Sequence, residues 1–382
     1  MTTPRASMRI GFLTPWRVDD EAAWSGIIAP MQRALGEVAD VVPISTHDVR
    51  ASIVDRAAAR LIGSITRASY LWDFGWMTAR RRGREAGRRV AAADVDVVFA
   101  VAASVDIALM RGWAGPVVQY VDATFESVRD RYPVFANVSR ISAVQVAALG
   151  RRADRRTSRF VTASLWARDA LARDHAIGTE VCVVAPAGAA VVPVVAPERP
   201  PEGPLRALVV ATDWARKGGA AAVQAVERAR ARGAEVELTV VGDCPDSVPA
   251  WVARRGRLSK HEMSAAYGTA DVLIELAAAN AAGVTLTDAA AHGLPAIATA
   301  TMGVPTIVGD GRSGWLVSPD ADVVERTAAL LADLAARTDR ATVFSDVRGW
   351  YERELSWDAW AQRVLQACSR AVSDHAARAR AA

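Results

Sequence analysis

The chain lacks the long apolar runs that membrane spans and secretory signals require. No uncharged, continuously apolar run of about 18 residues occurs among its 382 residues. The segment Met1 to Arg9 also lacks the apolar stretch of a signal peptide. Since 51% of the residues are nonetheless hydrophobic, they must be distributed among short core elements. We therefore expect a cytoplasmic protein with a sizeable core, and its length favours two domains.

Cysteine is scarce as well. Cys182, Cys244 and Cys368 are odd in number, widely separated and not grouped with histidines. This spacing argues against a disulfide framework and against a metal site. Because a free cysteine is often simply buried, we expect packing roles for all three.

The net charge is only +4, but arginine is locally dense on two predicted helices. The clusters are Arg80-Arg81-Arg82, Arg84 and Arg88-Arg89, and then Arg151-Arg152, Arg155-Arg156 and Arg159. Aromatic residues are not interleaved with them, and no zinc-finger or RNA-binding motif occurs, so nucleic acid is not an expected partner. The plainer interpretation is a solvated helix face. The alternative is a patch for a phosphorylated acceptor or for anionic lipid headgroups, with peripheral contact at the inner membrane face through Arg80 to Arg89.

Short β-type runs alternate with helical patterns along the chain, which predicts parallel α/β sheets. The rhythm begins with Arg9 to Leu13 and restarts with Leu205 to Val210. Between these halves, Val191 to Pro204 carries five prolines and reads as a semi-rigid connection. The prediction is two tandem, doubly wound, Rossmann-like domains over 1–195 and 204–355, with a C-terminal helix over 356–382 that packs back on the first domain. In such sheets ligands bind beyond the carboxyl ends of the strands.

The segment from Asp271 to Pro319 is the most informative part of the sequence. It reads as a short strand, a helix opened by Gly283, a second strand and a Gly-rich loop. A helix start leaves backbone N–H groups free at the positive end of the helix dipole, which suits a diphosphate. Asp288 follows little more than one turn later, where a ribose hydroxyl could reach its carboxylate.

A second signal follows the first strand of the second domain. Arg216 and Lys217 stand beside Gly218 and Gly219 at a strand-to-helix turn. A cation held there would stabilise the charge that develops on a diphosphate leaving group. The plainer alternative is a Gly-capped loop with solvated cations.

Together with other segments, these residues resemble glycosyltransferase family 4, the retaining nucleotide-sugar enzymes of GT-B fold. The other segments are Trp24-Ser25-Gly26, Gln119 to Phe125, Ala163 to Ala167 and Val183 to Gly188. The resemblance covers nearly the whole chain. It implies a donor/acceptor cleft between the domains, with the nucleotide sugar bound by the C-terminal domain and the acceptor by the N-terminal one. It also implies that no metal or other cofactor is needed.

The resemblance assigns roles residue by residue. Lys217, beside Arg216, contacts the donor diphosphate, and the Gly26 turn approaches the same phosphates from the first domain. The donor-binding residues are Gly26, Arg216, Lys217, Arg257, Leu258, Asn280, Gly283, Val284, Thr285 and Asp288, with backbone groups near Arg257 and Leu258 recognising the base. The catalytic residues are Asp122, Arg216, Lys217 and Asn280.

Three positions depart from the family pattern. Relatives usually carry two glutamates eight positions apart, where this chain has Asn280 and Asp288. Asn280 is neutral and can both donate and accept, which alters the sugar contact. Thr212 stands where many relatives have an arginine that touches the phosphates.

The first domain supplies the acceptor candidates. Asp122 follows a predicted strand and could position an acceptor hydroxyl or accept its proton; alternatively, it caps a helix that begins near Ala123. Trp16, Trp24 and Trp72 offer flat faces to an acceptor, although most tryptophans are core residues.

The leading hypothesis is a retaining transferase that moves a hexose or hexose derivative from a UDP- or GDP-sugar to a hydroxyl of a glycan, lipid-linked or small-molecule acceptor. A nucleotide-sugar epimerase or hydrolase of the same fold is an alternative, and so is a non-catalytic nucleotide-binding scaffold. A dinucleotide oxidoreductase is disfavoured because no Gly-x-Gly-x-x-Gly follows the first strand.

Overall fold

A computed structural model describes residues 7–194 and 203–381. By internal contacts the chain divides into two compact units, one of Met1–Ala185 with Trp360–Ala382 and the other of Pro186–Ala359. The sequence-based division was 1–195, 204–355 and 356–382, and most of the predicted proline-rich connection, 195–202, lies outside the described residues. Among the described residues, no helix has both the length and the apolar character that crossing a bilayer requires.

The first unit contains a six-stranded, entirely parallel sheet with the order β2-β1-β3-β4-β5-β6. Its strands are β1 (Arg9–Thr14), β2 (Asp40–Ser45), β3 (Val97–Val101), β4 (Val117–Val121), β5 (Arg159–Thr162) and β6 (Cys182–Val184). All five residues of β3 are buried. A strand covered by helices on both faces is apolar throughout rather than alternating, which explains the run Val-Val-Phe-Ala-Val.

Helices of the first unit connect these strands. They are α1 (Ala23–Gly26), α2 (Ile28–Gly36), α3 (Ile53–Thr66), α4 (Trp76–Ala93), α5 (Ser104–Ala108), α6 (Phe125–Val128), α7 (Arg140–Asp154) and α8 (Leu165–His175). The helices α1 and α2 do not form one continuous helix. Trp24, Ser25 and Gly26 have φ values of 47°, 61° and 81°, which are left-handed and end the first turn before α2 begins.

The second unit repeats the parallel arrangement with the order β12-β11-β10-β7-β8-β9. Its strands are β7 (Leu205–Ala211), β8 (Val236–Gly242), β9 (Ala253–Arg254), β10 (Val272–Glu275), β11 (Ala296–Thr299) and β12 (Gly314–Val317). The sequence interpretation missed β9 and treated β12 as part of a Gly-rich loop. The strand β12 begins at Gly314, and this position requires glycine because a Cβ there would lie 2.2 Å from the Ala296 carbonyl oxygen.

The helices of the second unit cover both faces of this sheet. They are α9 (Gly219–Ala231), α10 (Lys260–Thr269), α11 (Val284–Ala291), α12 (Val304–Ile307), α13 (Val323–Ala336) and α14 (Arg340–Trp350). The last helix, α15 (Trp357–Ala381), belongs to the first unit from Trp360 onward. There Trp360 is fully buried and its ring meets those of Phe99 and Tyr120 edge-on.

Candidate active site

The two motifs singled out in the second half of the sequence lie at the ends of neighbouring strands. Strands β7 and β10 pair directly, with Ala207 opposite Val272 and Leu208 opposite Leu273. Because the strands are parallel, the loops that follow them leave the same edge of the sheet. The loop carrying Lys217 and the loop leading to Gly283 are therefore adjacent, as ligand-binding loops are in open parallel sheets.

Glycine makes the contact between these loops close. Gly218 has φ +71°, and a Cβ on it would lie 2.0 Å from the Leu276 carbonyl oxygen. Next to it, the Ala278 N–H donates to the Arg216 carbonyl at 2.8 Å. Any larger residue at 218 would push the two loops apart, so glycine is required there for space as well as for φ.

Lys217 forms a buried ion pair with a residue that the sequence analysis did not select. Its ammonium donates to Glu275 Oε2 at 3.0 Å, and the two side chains are 9% and 2% exposed. Asn280 donates its side-chain amide to the other oxygen of Glu275. Lys217 is one of only two lysines in a chain rich in arginine, and a narrow ammonium fits a confined position that a planar guanidinium does not.

Asn280 also organises the start of α11. Its Oδ1 accepts from the Gly283 N–H at 2.9 Å, while Gly283 itself has φ +65°. Among the residues that the structure describes, none accepts a hydrogen bond from the Val284 or Thr285 N–H. The Thr285 hydroxyl lies 3.4 Å from the Lys217 ammonium. The Lys217 ammonium and the Thr285 hydroxyl therefore lie together at the start of α11, where the Val284 and Thr285 N–H groups have no acceptor in the described parts of the chain; such groups form a donor set for phosphate oxygens.

Arg216 has protein partners in this arrangement. Its guanidinium contacts Asp213 Oδ2 at 3.1 Å and donates to the Ala279 carbonyl at 3.0 Å. These contacts tie the Lys217 loop to the segment before Asn280. The predicted phosphate contact of Arg216 stays a prediction.

Asp288 is buried on α11 and binds backbone groups. Its Oδ1 accepts from the N–H groups of Ala190 and Val191 at 2.7 and 3.0 Å. Burial raises the pKa of Asp288 to about 7, although these two hydrogen bonds and the charges of Lys260 and Lys217 act in the opposite direction. The ribose role predicted for Asp288 stays a prediction, and the carboxylate has a further role in holding the 190–191 segment against α11.

Arg257 and Leu258 lie just after the edge strand β9. The Arg257 side chain is 82% exposed and lies 3.7 Å from Asp243. Leu258 packs against the apolar cluster that contains Ala296 and Ala298 of β11. The chain turns at Gly256, whose carbonyl accepts from the Gly242 N–H at 2.7 Å, so this loop is anchored to the carboxyl end of β8.

In the first unit, the predicted Gly26 turn is a strained backbone segment. Positive φ values at non-glycine residues such as Trp24 and Ser25 persist only where surrounding contacts enforce them, and they concentrate at functional sites. One such contact is visible, because the Trp24 ring meets Tyr120 edge-on at 5.8 Å. Tyr120 precedes Asp122 by two residues, so the turn lies near the carboxyl end of β4.

Asp122 does not cap the helix that follows it. Thr124 is the N-cap of α6 and forms a capping box with Ser127, which excludes that alternative for Asp122. Loss of hydration raises the pKa of Asp122 to about 6, against the opposing effect of its own N–H and that of Ala123. A carboxyl group titrating near neutral pH is suited to proton transfer.

The remaining acceptor candidates are more open to solvent. Trp16 and Trp72 are 41% and 40% exposed, after β1 and in the short turn before α4 respectively. Both present ring surface to solvent, which is unusual for tryptophan in a core role.

Glu275 is the residue that sequence reasoning missed. The available signal was a glutamate ending an otherwise apolar strand, Val272 to Glu275, because such a carboxylate is rarely buried without a partner. As for metals, the described residues contain no group of three or more His, Cys, Asp or Glu side chains that could hold an ion.

Comparison with known families and structures gives the setting of these residues. Residues 204–336 match the family model described as glycosyl transferases group 1. This range includes the Lys217 loop, Glu275, Asn280 and α11. No curated protein matches the chain by sequence.

Several solved structures share the fold over nearly the full length. Sucrose-phosphate synthase from Thermosynechococcus elongatus has a TM-score of 0.68 at 16% identity, covering 96% of this chain and 100% of that one. The lipopolysaccharide outer core galactosyltransferase WaaB has 0.64 at 14% identity, covering 94% and 99%. Anabaena HepE, solved in complex with UDP and glucose, has 0.63 at 14%, covering 95% and 100%. The predicted GT-B fold with two Rossmann-like domains is confirmed.

Proposed function

We propose that this chain, a glycosyltransferase of GT-B fold with a group 1 domain over residues 204–336, transfers a hexose or hexose derivative from a nucleoside diphosphate sugar to an acceptor hydroxyl with retention of configuration. The assignment to family 4 is part of the proposal. The observation that carries it is that the Lys217 ammonium and the Thr285 hydroxyl lie together at the start of α11, beyond the ends of β7 and β10, beside N–H groups that have no acceptor among the described residues.

We assign the diphosphate of the nucleotide sugar to this group of hydrogen-bond donors. Its charge grows as the glycosidic bond breaks, so fixed positive groups stabilise the transition state more than the ground state. Asn280 is oriented by Glu275 and Gly283, which leaves one amide hydrogen and one lone pair for a sugar hydroxyl. A UDP-hexose is the first donor to test because HepE binds UDP-glucose; a GDP-sugar is the second.

The acceptor is assigned to the first unit. Asp122 positions the acceptor hydroxyl or takes its proton, and its pKa of about 6 keeps it ionised at neutral pH. Trp16, Trp24 and Trp72 supply stacking surface for a glycan, lipid-linked or small-molecule acceptor. The proposed reaction uses no divalent metal, so chelation with EDTA should leave the rate unchanged.

Peripheral contact with an anionic membrane, on the cytoplasmic side, belongs to the same proposal. It is supported by the start of α4, where Trp76 and Met77 are 40% and 43% exposed. Arg80 and Arg84 follow, and neither has an ion-pair partner among the residues that the structure describes. Apolar and basic side chains side by side are typical of interfacial helices. Replacing Trp76 and Met77 by alanine should reduce sedimentation with phosphatidylglycerol vesicles.

One observation favours a second candidate, a non-catalytic nucleotide-binding scaffold. Glu275 neutralises the Lys217 charge within the protein, and a neutralised cation stabilises a leaving diphosphate less. The two candidates differ in turnover, because the scaffold binds nucleotide without consuming sugar.

The test begins with thermal shifts against UDP, GDP, TDP and their sugar conjugates. A ligand at about 100 times its dissociation constant adds roughly 2.7 kcal/mol to the free energy of unfolding. The selected sugar is then incubated with candidate acceptors, and NMR of the product reports the anomeric configuration.

Lys217→Met should abolish the thermal shift and the transfer. Arg232→Met, which removes a cation at the far end of α9, is the matched control. An inverted product would exclude retention, and a thermal shift unchanged in Lys217→Met would remove the proposed donor site.

A further inference from the structure

The structure separates the arginines of the two sequence clusters into paired and unpaired sets. Arg88 and Arg89 both contact Glu85, and Arg82 lies 3.4 Å from Asp73. By contrast, Arg80, Arg84, Arg152 and Arg156 make no ion pair or side-chain hydrogen bond with any residue in the described parts of the chain, and the same holds for Arg81 and Arg155. Arg111, which belongs to neither cluster, is also exposed and without such a partner there, and it joins the first four in a set of five: Arg80, Arg84, Arg111, Arg152 and Arg156.

All five line one cavity of about 170 Å³ in the first unit. Arg80 and Arg84 are on α4, Arg152 is on α7 with Arg156 just beyond its end, and Arg111 is on the loop after α5. The remaining lining residues are Ala108, Leu109 and Met110, so no acidic side chain contributes. The space is many times the ~10–15 Å³ that one water requires, and it admits a phosphoryl or diphosphoryl group.

The backbone is built to bring these charges together. Gly83 and Gly87 lie one turn apart on α4 and face the loop that carries Arg111. A Cβ at Gly83 would lie 2.6 Å from the Leu109 carbonyl carbon, and one at Gly87 would lie 1.7 Å from the Arg111 carbonyl oxygen. Only glycine at both positions lets the loop pack directly on α4 and place Arg111 beside Arg80 and Arg84.

The arrangement is unfavourable without a ligand. Arg80 and Arg84 are like charges at i,i+4 spacing on α4, which destabilises a helix surface. Arg152, near the end of α7, and Arg156, just beyond it, add two more positive charges. Arg111 adds a fifth positive charge to the same cavity. A bound polyanion would remove this repulsion and accept several charge-assisted, bidentate hydrogen bonds.

We infer that the cavity formed by Arg80, Arg84, Arg111, Arg152 and Arg156 is a second anion site, which binds a phosphomonoester or diphosphate group. None of its residues takes part in the proposed donor site, whose side chains belong to the other unit. The group comes either from a phosphorylated lipid headgroup or from a soluble phosphate compound, and the chemistry of recognition is the same.

The primary test is calorimetric titration of the full chain with pyrophosphate. Wild type should show two binding events, and Lys217→Met should retain the one at the arginine cavity. Arg84→Gln/Arg152→Gln should weaken that event at least about tenfold, since each arginine contributes charge-assisted bonds. The matched control Arg88→Gln/Arg151→Gln removes two charges from the same helices outside the cavity and should change the dissociation constant less than about twofold.

Sedimentation with vesicles distinguishes a phosphorylated lipid headgroup from a soluble phosphate compound. Sedimentation with phosphatidic acid vesicles that is lost only in Arg84→Gln/Arg152→Gln would assign the site to a lipid phosphate. Pyrophosphate binding without such sedimentation would assign it to a soluble ligand.

The inference is overturned if Lys217→Met abolishes all pyrophosphate binding, or if the cavity and control variants weaken it equally. If pyrophosphate does not bind at the proposed donor site but still binds in the arginine cavity, only the proposed function is contradicted.

Discussion

The Lys217 ammonium lies 3.0 Å from the Glu275 carboxylate, and both side chains are almost completely withdrawn from solvent. The residues are 58 positions apart and meet because β7 and β10 are adjacent in the sheet. A buried ion pair contributes little net stability, but removing one partner leaves the other charge buried and uncompensated. The ion pair therefore links the stability of the second unit to the positive charge that Lys217 can provide to the diphosphate of a nucleotide sugar.

Lys217→Met should lower the free energy of unfolding by about 3–5 kcal/mol because it strands the Glu275 carboxylate. Lys217→Met/Glu275→Leu should recover most of that loss, since neither charge remains. Urea denaturation measures both. If the double variant is no more stable than the single one, the ion pair does not account for the loss.

The same two variants separate stability from donor binding. Both lack the ammonium, so both should lose the thermal shift with nucleotide sugar even where stability is restored. Glu275→Gln keeps the shape of the side chain and frees the Lys217 charge, and it should bind the donor diphosphate more tightly than wild type. Weaker binding in Glu275→Gln would show that Glu275 positions Lys217 rather than neutralising it.

Asp288→Asn should stabilise the protein at alkaline pH and weaken donor binding. The pKa of Asp288 is raised on folding from 3.8 to about 7, so the native state loses stability as the pH rises through 7. At pH 8 the asparagine variant avoids this cost, by up to about 4 kcal/mol, and still accepts from Ala190 and Val191. Melting temperatures from pH 5.5 to 8 should therefore fall less in the variant, while its KM for donor rises.

Asp122 should control the acidic side of the pH–rate profile. With a pKa of about 6, its carboxylate forms as the pH rises through 6, so kcat/KM should rise over the same range and then level off. Asp122→Asn should remove this limb and lower kcat by roughly 10- to 100-fold, near the lower end of general-base contributions. If kcat/KM of Asp122→Asn still rises as the pH passes through 6, the titration belongs to another group.

His175 predicts a separate pH dependence, of stability in the first unit. It ends α8, with Nδ1 2.5 Å from Asp154 on α7 and Nε2 3.1 Å from Glu126 on α6. Burial alone would lower its pKa, but the hydrogen bonds to Asp154 and Glu126 raise it to about 9. Because this exceeds the ordinary value of 6.5, the stabilisation is complete below pH 6.5 and is lost as the pH rises through 9.

The His175 contribution should amount to no more than about 3 kcal/mol, by the conversion of pKa shift into free energy. Urea midpoints measured from pH 6 to 10 should fall more steeply in wild type than in His175→Gln. His47→Gln replaces an exposed histidine and should follow wild type. Parallel curves for wild type and His175→Gln would exclude the charged cluster as a pH-dependent element.

Local chemistry made the general fold and the donor motifs predictable. Apolar runs such as Val97 to Val101 indicate buried parallel strands, and Gly218 and Gly283 adopt positive φ where the sequence shows glycine before a helix. The strand β12 escaped prediction because Gly314 is needed for close approach to Ala296, a contact invisible in the local pattern. The break between α1 and α2 at Trp24 to Gly26 was not predictable either, because surrounding contacts, and not helix propensity, impose left-handed φ on Trp24 and Ser25.

The amino-acid sequence by itself determined the α/β class, the tandem sheets and the chemical type of the two donor motifs, because these depend on period, glycine conformation and charge within a few residues. Only the tertiary structure decided that Lys217 meets Glu275, that Asp288 holds the backbone of Ala190 and Val191, and which arginines line one cavity. Each of these depends on strand order or helix packing, which joins residues far apart in the chain through contacts that no local pattern specifies.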